Sequence, residues 1–303
     1  MAPPGGKPVA MDLSFVVLQF LTGLAYASSL FLLAVGLSLI FGALGIVNFA
    51  HGSFYMLGAY LLYWVVRGDP EGLWWGLAVV AALGFVVGAA TERLLLRPVY
   101  GRPEHYQILL TYALLLIIED GVKLLFGSAY KSLGPPAALA YPVWILGAPF
   151  PAYYFVQIAL ALVVAGALWF FLQRTRAGAL VRAATQDREM LEALGVNVPR
   201  LLTVVFALGI ALATLGGAAT LPMQTVSPGV AVEAVISAFI VVVVGGLGSV
   251  WGALLGAFLI GEIQAFGVLV LPEFAIAFVY LLMALVLLVR PWVLLGRPPA
   301  VRT

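Results

Sequence analysis

Three polar side chains, Asn48, His51 and Ser53, occur within six positions of an otherwise apolar, glycine-rich stretch. An amide, an imidazole and a hydroxyl are groups that can bind a polar solute or move a proton. At membrane depth such groups are costly unless they are buried in protein or face a cavity. The pattern therefore predicts either a broken helix that lines a solute route or a tight turn between helices, in which Asn48 and His51 cap the helix ends.

A fourth candidate, Glu262, lies deep in an apolar segment and has no obvious partner near it in the sequence. An acid in such a place is expected to face the interior of a helix bundle rather than lipid. Two interpretations stay open, a functional acid on the same solute route and a hydrogen-bonded packing residue. Glu119 and Lys123, four positions apart, are expected to form a structural ion pair.

The sequence carries few of the groups used in covalent catalysis. It has no cysteine and only two histidines, and it lacks the G-x-x-x-x-G-K-[ST], G-x-S-x-G and H-E-x-x-H motifs. An intramembrane enzyme that uses His51 with Glu262 or Asn48 as acid and base is an alternative, but it would lack a nucleophile and a metal set. We therefore predict no catalytic residue, metal site or cofactor in this chain.

The composition is typical of a membrane protein. Hydrophobic residues make up 64% of the 303 residues and charged residues only 9%, against about 25% charged residues in a soluble domain. A helix of about 20 apolar residues crosses the hydrocarbon layer, whereas the alternating segments of a membrane β-barrel are absent. The sequence predicts an all-α, polytopic membrane protein with a single transmembrane domain, residues 1–303.

About nine membrane-spanning helices are predicted, within a range of eight to ten. Their expected positions are 13–40, 48–66, 73–95, 106–126, 152–173, 201–222, 230–247, 251–270 and 274–290. A G-x-L-G pattern that begins at Gly42 and again at Gly245 suggests an internal repeat, a common feature of transporters.

The positive charges predict the orientation in the membrane, because cytoplasmic loops carry an excess of Lys and Arg. Placing segment 174–200 in the cytoplasm puts 11 of the 15 basic residues on that side. These are Arg93, Arg97, Arg102, Arg174, Arg176, Arg182, Arg188, Arg200, Arg290, Arg297 and Arg302. With nine crossings, the N-terminus is then outside and the C-terminus is cytoplasmic.

Segment 174–200 is the one long polar passage in the second half of the chain. It is predicted to form a short helix that ends at Gly195, because glycine favours a helix C-terminus and Pro199 bars continuation. One side of this helix would be apolar, formed by Ala183, Ala184, Met190, Leu191, Ala193 and Leu194, and the other side would carry Arg182, Gln186, Asp187 and Arg188. This combination predicts a cytoplasmic platform on which another protein docks, with an ordinary solvated loop that carries a surface helix as the alternative.

Five blocks of residues follow one another from about residue 20 to the C-terminus. They are Asn48-Phe49-Ala50-His51-Gly52 with Tyr55-Met56 and Gly58; Glu92-Arg93 with Arg97-Pro98-Val99; Gly178, Arg182-Ala183, Asp187, Met190 and Leu194-Gly195-Val196-Asn197; Gly245-Gly246-Leu247-Gly248-Ser249 with Gly252-Ala253; and Gly296-Arg297-Pro298. Together these blocks resemble the integral permease subunit of high-affinity branched-chain amino-acid ABC importers.

The resemblance implies a multi-pass subunit of the plasma (inner) membrane that forms a translocation route and couples it to cytoplasmic ATPases. The implied partners are a second, homologous permease subunit, two ATPase subunits that bind ATP and Mg, and an extracytoplasmic substrate-binding protein. Membrane lipid surrounds the chain, and no nucleic acid is involved. Coupling is assigned to Arg182, Ala183, Gln186, Asp187, Arg188, Leu194 and Gly195, and the translocation route to Asn48, His51, Ser53 and Glu262. A related permease for urea, short amides or other small solutes and a passive channel remain as alternatives.

Overall fold

The computed structural model describes residues 13–289, which form an α-helical bundle with one small β-hairpin. The helices are α1 (Leu13–Leu44), α2 (His51–Val65), α3 (Leu73–Thr91), α4 (Glu104–Phe126), α5 (Ala152–Arg174), α6 (Arg176–Ala184), α7 (Arg188–Ala193), α8 (Val198–Thr220), α9 (Val230–Gly245), α10 (Val250–Val270) and α11 (Ala275–Val289). The hairpin consists of β1 (Pro142–Ile145) and β2 (Ala148–Pro151), and a π-helical turn, Glu92–Leu96, extends α3.

The long helices coincide with the nine predicted spans, with ends that differ by a few residues. Five of them are long and apolar enough to cross a membrane by length and composition: α1, α3 with its flanking turns, α5, α8 and α10.

The ion pair predicted between Glu119 and Lys123 in α4 is confirmed, because Lys123 Nζ lies 3.0 Å from Glu119 Oε1. The helical fold class is thus confirmed, and the number of crossings stays a prediction. Arg290, Arg297 and Arg302 lie outside the described residues.

Helix α1 is the centre of the bundle. Most of it is buried, and it packs against α5, α8, α9 and α10. Such packing depends on small residues, since helices surrounded by lipid are held together by close van der Waals contact. A Cβ added at Gly36 would lie 2.3 Å from the carbonyl oxygen of Gly209, and one at Gly58 would lie 2.1 Å from that of Thr214. These two glycines therefore bring α1 and α2 into backbone contact with α8.

Two glycine turns meet at the end of the bundle that carries α6 and α7. Gly45 follows α1 with φ +69°, and Gly248 lies between α9 and α10 with φ +80°, conformations that favour glycine. The turns touch, because a Cβ added at Gly42 would lie 2.9 Å from the Cα of Gly248. The two G-x-L-G segments are thus neighbours in space, while an internal repeat remains a prediction.

At the opposite end, the loops between the helices are joined into an ordered cap. Lys131 and Val226 exchange two backbone hydrogen bonds of 2.9 Å. The Ala137 N–H donates to Glu71 Oε1 over 2.7 Å. The hairpin turns at Leu146 and Gly147, both with positive φ, as in the two-residue turns that match strand twist. Loop 127–151, which the orientation rule places outside, therefore has a defined structure.

Candidate functional site

The segment between α5 and α8 folds into two short helices, so the prediction of one short helix is wrong in this respect. The helical conformation is interrupted at Asp187, whose backbone is extended with φ −152°. Asp187 Oδ1 accepts the backbone N–H of Met190 over 2.9 Å and so caps the start of α7. The end of α7 agrees with the sequence, since Gly195 follows it with φ +80°. Asp187 and Gly195 thus define where α7 begins and ends.

Helix α6 lies against the end of the bundle. Thr175 caps it by accepting the N–H of Gly178 over 3.0 Å. The backbone of α6 approaches α5 so closely at this glycine that a Cβ would meet the carbonyl oxygen of Phe171 at 2.0 Å. Ala184 is buried and Ala183 is half-buried. Arg182 is half-buried as well, and its Nη1 has no hydrogen-bond partner among the described residues.

Helix α7 divides its apolar side chains between two directions. Leu191 is buried in the core, whereas Met190 and Leu194 are 58% and 71% exposed. The predicted single apolar side is therefore wrong, because residues four apart share a helix face and Leu191 falls on another. The exposed pair is flanked by Glu189 and Glu192, which are also exposed. We call Met190 and Leu194 the outer apolar pair.

Arg188 links α7 to the central helix. Its Nη2 donates to the carbonyl oxygen of Ala43 over 2.6 Å. Ala43 belongs to the last turn of α1, where backbone carbonyls have no partner within the helix. Leu191 belongs to the same buried apolar cluster as Ile40 and Leu44. Arg188 thus bonds α7 directly to the end of α1.

A second link joins α3 to the start of α8. Glu92, fully buried in the π-helical turn, forms an ion pair of 2.9 Å with Arg97 and accepts the hydroxyl of Tyr100 over 2.8 Å. Arg97 also donates to the carbonyl oxygen of Pro199 over 3.1 Å and to the hydroxyl of Thr203. We call these five residues the Glu92 network.

The Glu92 network keeps the tyrosine as a hydrogen-bond donor. Burial raises the pKa of the Tyr100 hydroxyl well above its usual value, and the neighbouring Glu92 carboxylate raises it further. Sequence analysis used Glu92 and Arg97 for the resemblance but did not predict that these residues contact one another or α8. The sequence did contain an indication of an ion pair, because Glu92 and Arg97 carry opposite charges and both follow a long apolar run.

The cluster predicted from Asn48, His51 and Ser53 is fully buried. His51 Nε2 lies 2.8 Å from the carbonyl oxygen of Leu33 in α1. The Ser53 hydroxyl donates to the carbonyl oxygen of Leu115 in α4 over 3.3 Å. The predicted helix capping by Asn48 and His51 is wrong, since Ala50 is the N-cap of α2 and no side chain caps it.

The side-chain amide of Asn48 and the other ring nitrogen of His51 have no hydrogen-bond partner within residues 13–289. None of the three polar residues lines the cavity between α1, α5 and α10 or the cavity between α1, α9, α10 and α11. Their part in a solute route stays a prediction.

Glu262 lies between α10 and α1, where a Cβ added at Gly23 would come within 2.6 Å of its Oε2. Both carboxylate oxygens are shielded and have no hydrogen-bond partner in the described part of the chain. The hydrogen-bonded packing role is not seen in this conformation, and a role in transport remains a prediction.

A cavity of about 310 Å³ lies between α1, α5 and α10. Its lining includes four glutamines, Gln19, Gln157, Gln224 and Gln264, together with Tyr26. The Gln157 amide nitrogen donates to the hydroxyl of Ser29, while its oxygen is buried without a partner among the described residues. In residues 13–289 no group of three or more His, Cys, Asp or Glu side chains could hold a metal ion.

Comparison with known proteins agrees with the resemblance. The model of a family described as "Branched-chain amino acid transport system / permease component" matches residues 19–289. The chain is 31% identical over 294 residues to the high-affinity branched-chain amino acid transport system permease protein BraD of Pseudomonas aeruginosa, covering 92% of this chain and 95% of BraD. It is 28% identical over 301 residues to the corresponding permease protein LivH of Escherichia coli, with coverage of 92% and 95%.

A more distant relative is the ribose import permease protein RbsC of Escherichia coli, 26% identical over 251 residues, which are 76% of this chain and 71% of RbsC. No solved structure is significantly similar to this chain. Because the family model covers most of its length, the chain belongs to the family of permease components of branched-chain amino-acid transport systems.

Proposed function

We propose that this chain is the transmembrane permease subunit of an ATP-driven importer for branched-chain or related amino acids. Its family supports this function, as do relatives whose names describe high-affinity branched-chain amino-acid transport. The observation that carries the coupling is the outer apolar pair, Met190 and Leu194, on α7. Large apolar side chains presented together at a polar surface are typical of a protein interface.

The proposed assembly contains a second, homologous permease subunit, two cytoplasmic ATPase subunits and an extracytoplasmic substrate-binding protein. ATP and Mg belong to the ATPases, since this sequence has no phosphate-binding loop. The chain lies in the plasma (inner) membrane with its N-terminus outside and its C-terminus in the cytoplasm. The arginines of segment 174–200 support this orientation.

ATP-driven closure of the ATPases is proposed to move α7, and the structure offers two links to the membrane helices. One is the hydrogen bond from Arg188 to Ala43, which joins α7 to α1. The other is Arg97, which holds the start of α8 against α3 through Pro199 and Thr203. Rocking of α1 and α8 then switches the route between outward and inward access. The ATPases drive this switch only if they bind the two states with different affinity.

In this proposal, some of the predicted coupling residues contact the ATPase, and the others hold α6 and α7 in place. Leu194 and the exposed Gln186 meet the ATPase. Asp187 and Gly195 shape the ends of α7, Arg188 transmits its motion, and Arg182 with Ala183 seats α6 on the bundle.

The predicted route residues are given different places. Asn48, His51 and Ser53 hold the junction of α1, α2 and α4, since His51 and Ser53 each contact a neighbouring helix. They reach the route when the helices rock. Glu262 remains a route candidate on the α1–α10 contact.

Leu194→Glu in the complete transporter tests the docking surface. A carboxylate forced into an apolar contact is costly, so we expect ATPase co-purification and ATP-dependent leucine uptake in proteoliposomes to fall by about tenfold or more. Leu146→Glu is the matched control, because Leu146 is a 60% exposed leucine on the β-hairpin at the opposite end. It should keep ATPase binding intact.

If the Leu194→Glu variant binds the ATPase as well as the wild type does, α7 is not part of the ATPase interface. Leucine flux through the wild-type complex in the absence of ATP would identify a passive channel instead of an importer.

A further inference from the structure

A second cavity, of about 480 Å³, lies between α1, α9, α10 and α11. We call it the Glu233 chamber. Its polar lining consists of Glu233, Tyr26, Ser237, Gln264 and Tyr280. The chamber adjoins the glutamine-lined cavity, because Tyr26 and Gln264 line both. Its volume falls in the range of about 300–1,000 Å³ that is usual for small-molecule sites.

The rest of the chamber wall is aliphatic. These side chains come from α1, α9, α10 and α11 and are Leu30, Val232, Ile236, Ile240, Ile260 and Val279. One side of the chamber is open, since Val232, Ile236 and Tyr280 are each at least 40% exposed. A second permease subunit placed against this side would close it.

Glu233 is the only charged side chain in the lining. It lies in the first turn of α9, where the helix dipole favours a negative charge. No ion pair or hydrogen bond to its carboxylate occurs within residues 13–289. The Glu233 side chain is exposed on the open side of the chamber, so its carboxylate is accessible to a ligand. Once the chain is assembled in the membrane, a ligand that brings a positive charge stabilises this carboxylate.

We propose that the Glu233 chamber binds the transported amino acid during passage. Glu233 accepts hydrogen bonds from the α-ammonium group, and the Tyr26 hydroxyl and the Gln264 amide donate to the α-carboxylate. The aliphatic wall takes an apolar side chain, which favours aliphatic over charged amino acids. This inference rests on the proposed function and assigns its substrate site to residues that sequence analysis did not select.

The uptake test compares Glu233→Gln with Glu273→Gln in the complete transporter, reconstituted in proteoliposomes with labelled leucine. Glu273 is a matched control, as an exposed acid between α10 and α11 that does not line the chamber. Loss of one charge-assisted hydrogen bond predicts a fall in leucine uptake of about tenfold or more for Glu233→Gln, and wild-type uptake for the control. Size-exclusion chromatography of the assembled complex corrects for any loss of folded protein.

The wild-type result separates the two hypotheses. If the wild-type complex shows no ATP-dependent uptake of leucine or of any other branched-chain or related amino acid, both the proposed function and the chamber are overturned. If the wild type transports leucine and Glu233→Gln does so equally well, only the chamber is overturned.

A labelling test reports on the chamber directly. The chain has no cysteine, so Ser237→Cys introduces a single thiol into the lining. We expect a water-soluble thiol reagent to modify it during turnover, leucine to slow that modification, and Glu233→Gln to abolish the protection. Reaction with lipid-soluble reagents alone would show a groove filled by lipid and overturn the proposal, as would a reaction rate that leucine leaves unchanged.

Discussion

Arg97→Met should expose how much the Glu92 network contributes to the stability of the fold. In the wild type, the Arg97 guanidinium donates to both oxygens of Glu92, over 3.2 and 2.9 Å, and to groups on α8. Glu92 is fully buried. Removing the arginine leaves this carboxylate in the interior with the Tyr100 hydroxyl, 2.8 Å away, as its remaining hydrogen-bond donor among the described residues.

The expected cost follows from burial. Removing one partner of a buried ion pair costs about 3–5 kcal/mol, because the other charge is left without compensation. The Arg97 side chain is 36% exposed, so water already screens part of the interaction, and we expect about 2–3 kcal/mol. Glu92→Gln should cost only about 1 kcal/mol, since the remaining arginine reaches solvent and keeps its contacts with Pro199 and Thr203.

The double variant Glu92→Leu/Arg97→Met provides the decisive comparison. It removes both charges, so it should be more stable than Arg97→Met alone and within about 1 kcal/mol of the wild type. Thermal unfolding of the purified chain in detergent, followed by tryptophan fluorescence, measures the order. We expect the Tm of Arg97→Met to fall by about 5 °C. A double variant that is less stable than Arg97→Met would refute the reasoning.

Two further substitutions test local features of the fold. Gly58→Ala should lower the Tm strongly, because its Cβ would lie 2.1 Å from the Thr214 carbonyl oxygen and α2 would have to move away from α8. Gly166→Ala in α5, whose added Cβ meets no side chain and no other helix within 4 Å, should leave the Tm unchanged or raise it slightly, since alanine favours a helix more than glycine does. Asp187→Ala should remove the α7 cap at a cost of about 1 kcal/mol, which lowers the Tm by only about 2 °C. Faster hydrogen exchange at the Met190 amide measures the loss of the cap, and unchanged exchange would contradict the capping role.

The sequence was sufficient for the helices and for much of the platform. A long apolar run in lipid must satisfy its own backbone hydrogen bonds, so composition and length alone predict a helix. The predicted span 152–173 accordingly corresponds to α5, Ala152–Arg174. The end of α7 was predictable for a similarly local reason, since Gly195 adopts a positive φ that other residues avoid. The division between α6 and α7 was missed, although an aspartate such as Asp187 is a common helix N-cap.

Contacts between distant parts of the chain were beyond such reasoning. Arg97 bonds to Thr203, 106 positions away, and Arg188 bonds to Ala43, 145 positions away. Polar character alone selected Asn48 and His51 as route candidates, whereas the fold encloses both completely. Which polar side chain faces a cavity depends on how each helix is rotated against its neighbours, and an apolar sequence carries little periodic signal for that rotation.

By itself, the sequence determined a helical membrane chain and the family to which it belongs, and it predicted the segment that meets partner proteins, because these depend on composition and on short runs of residues. Only the tertiary structure decided that Glu233 lines a chamber, that Glu92 is buried in a network and that α7 is bonded to α1. Each of these results from packing between helices far apart in the chain, and packing sets which side chains share a space and which remain without a partner.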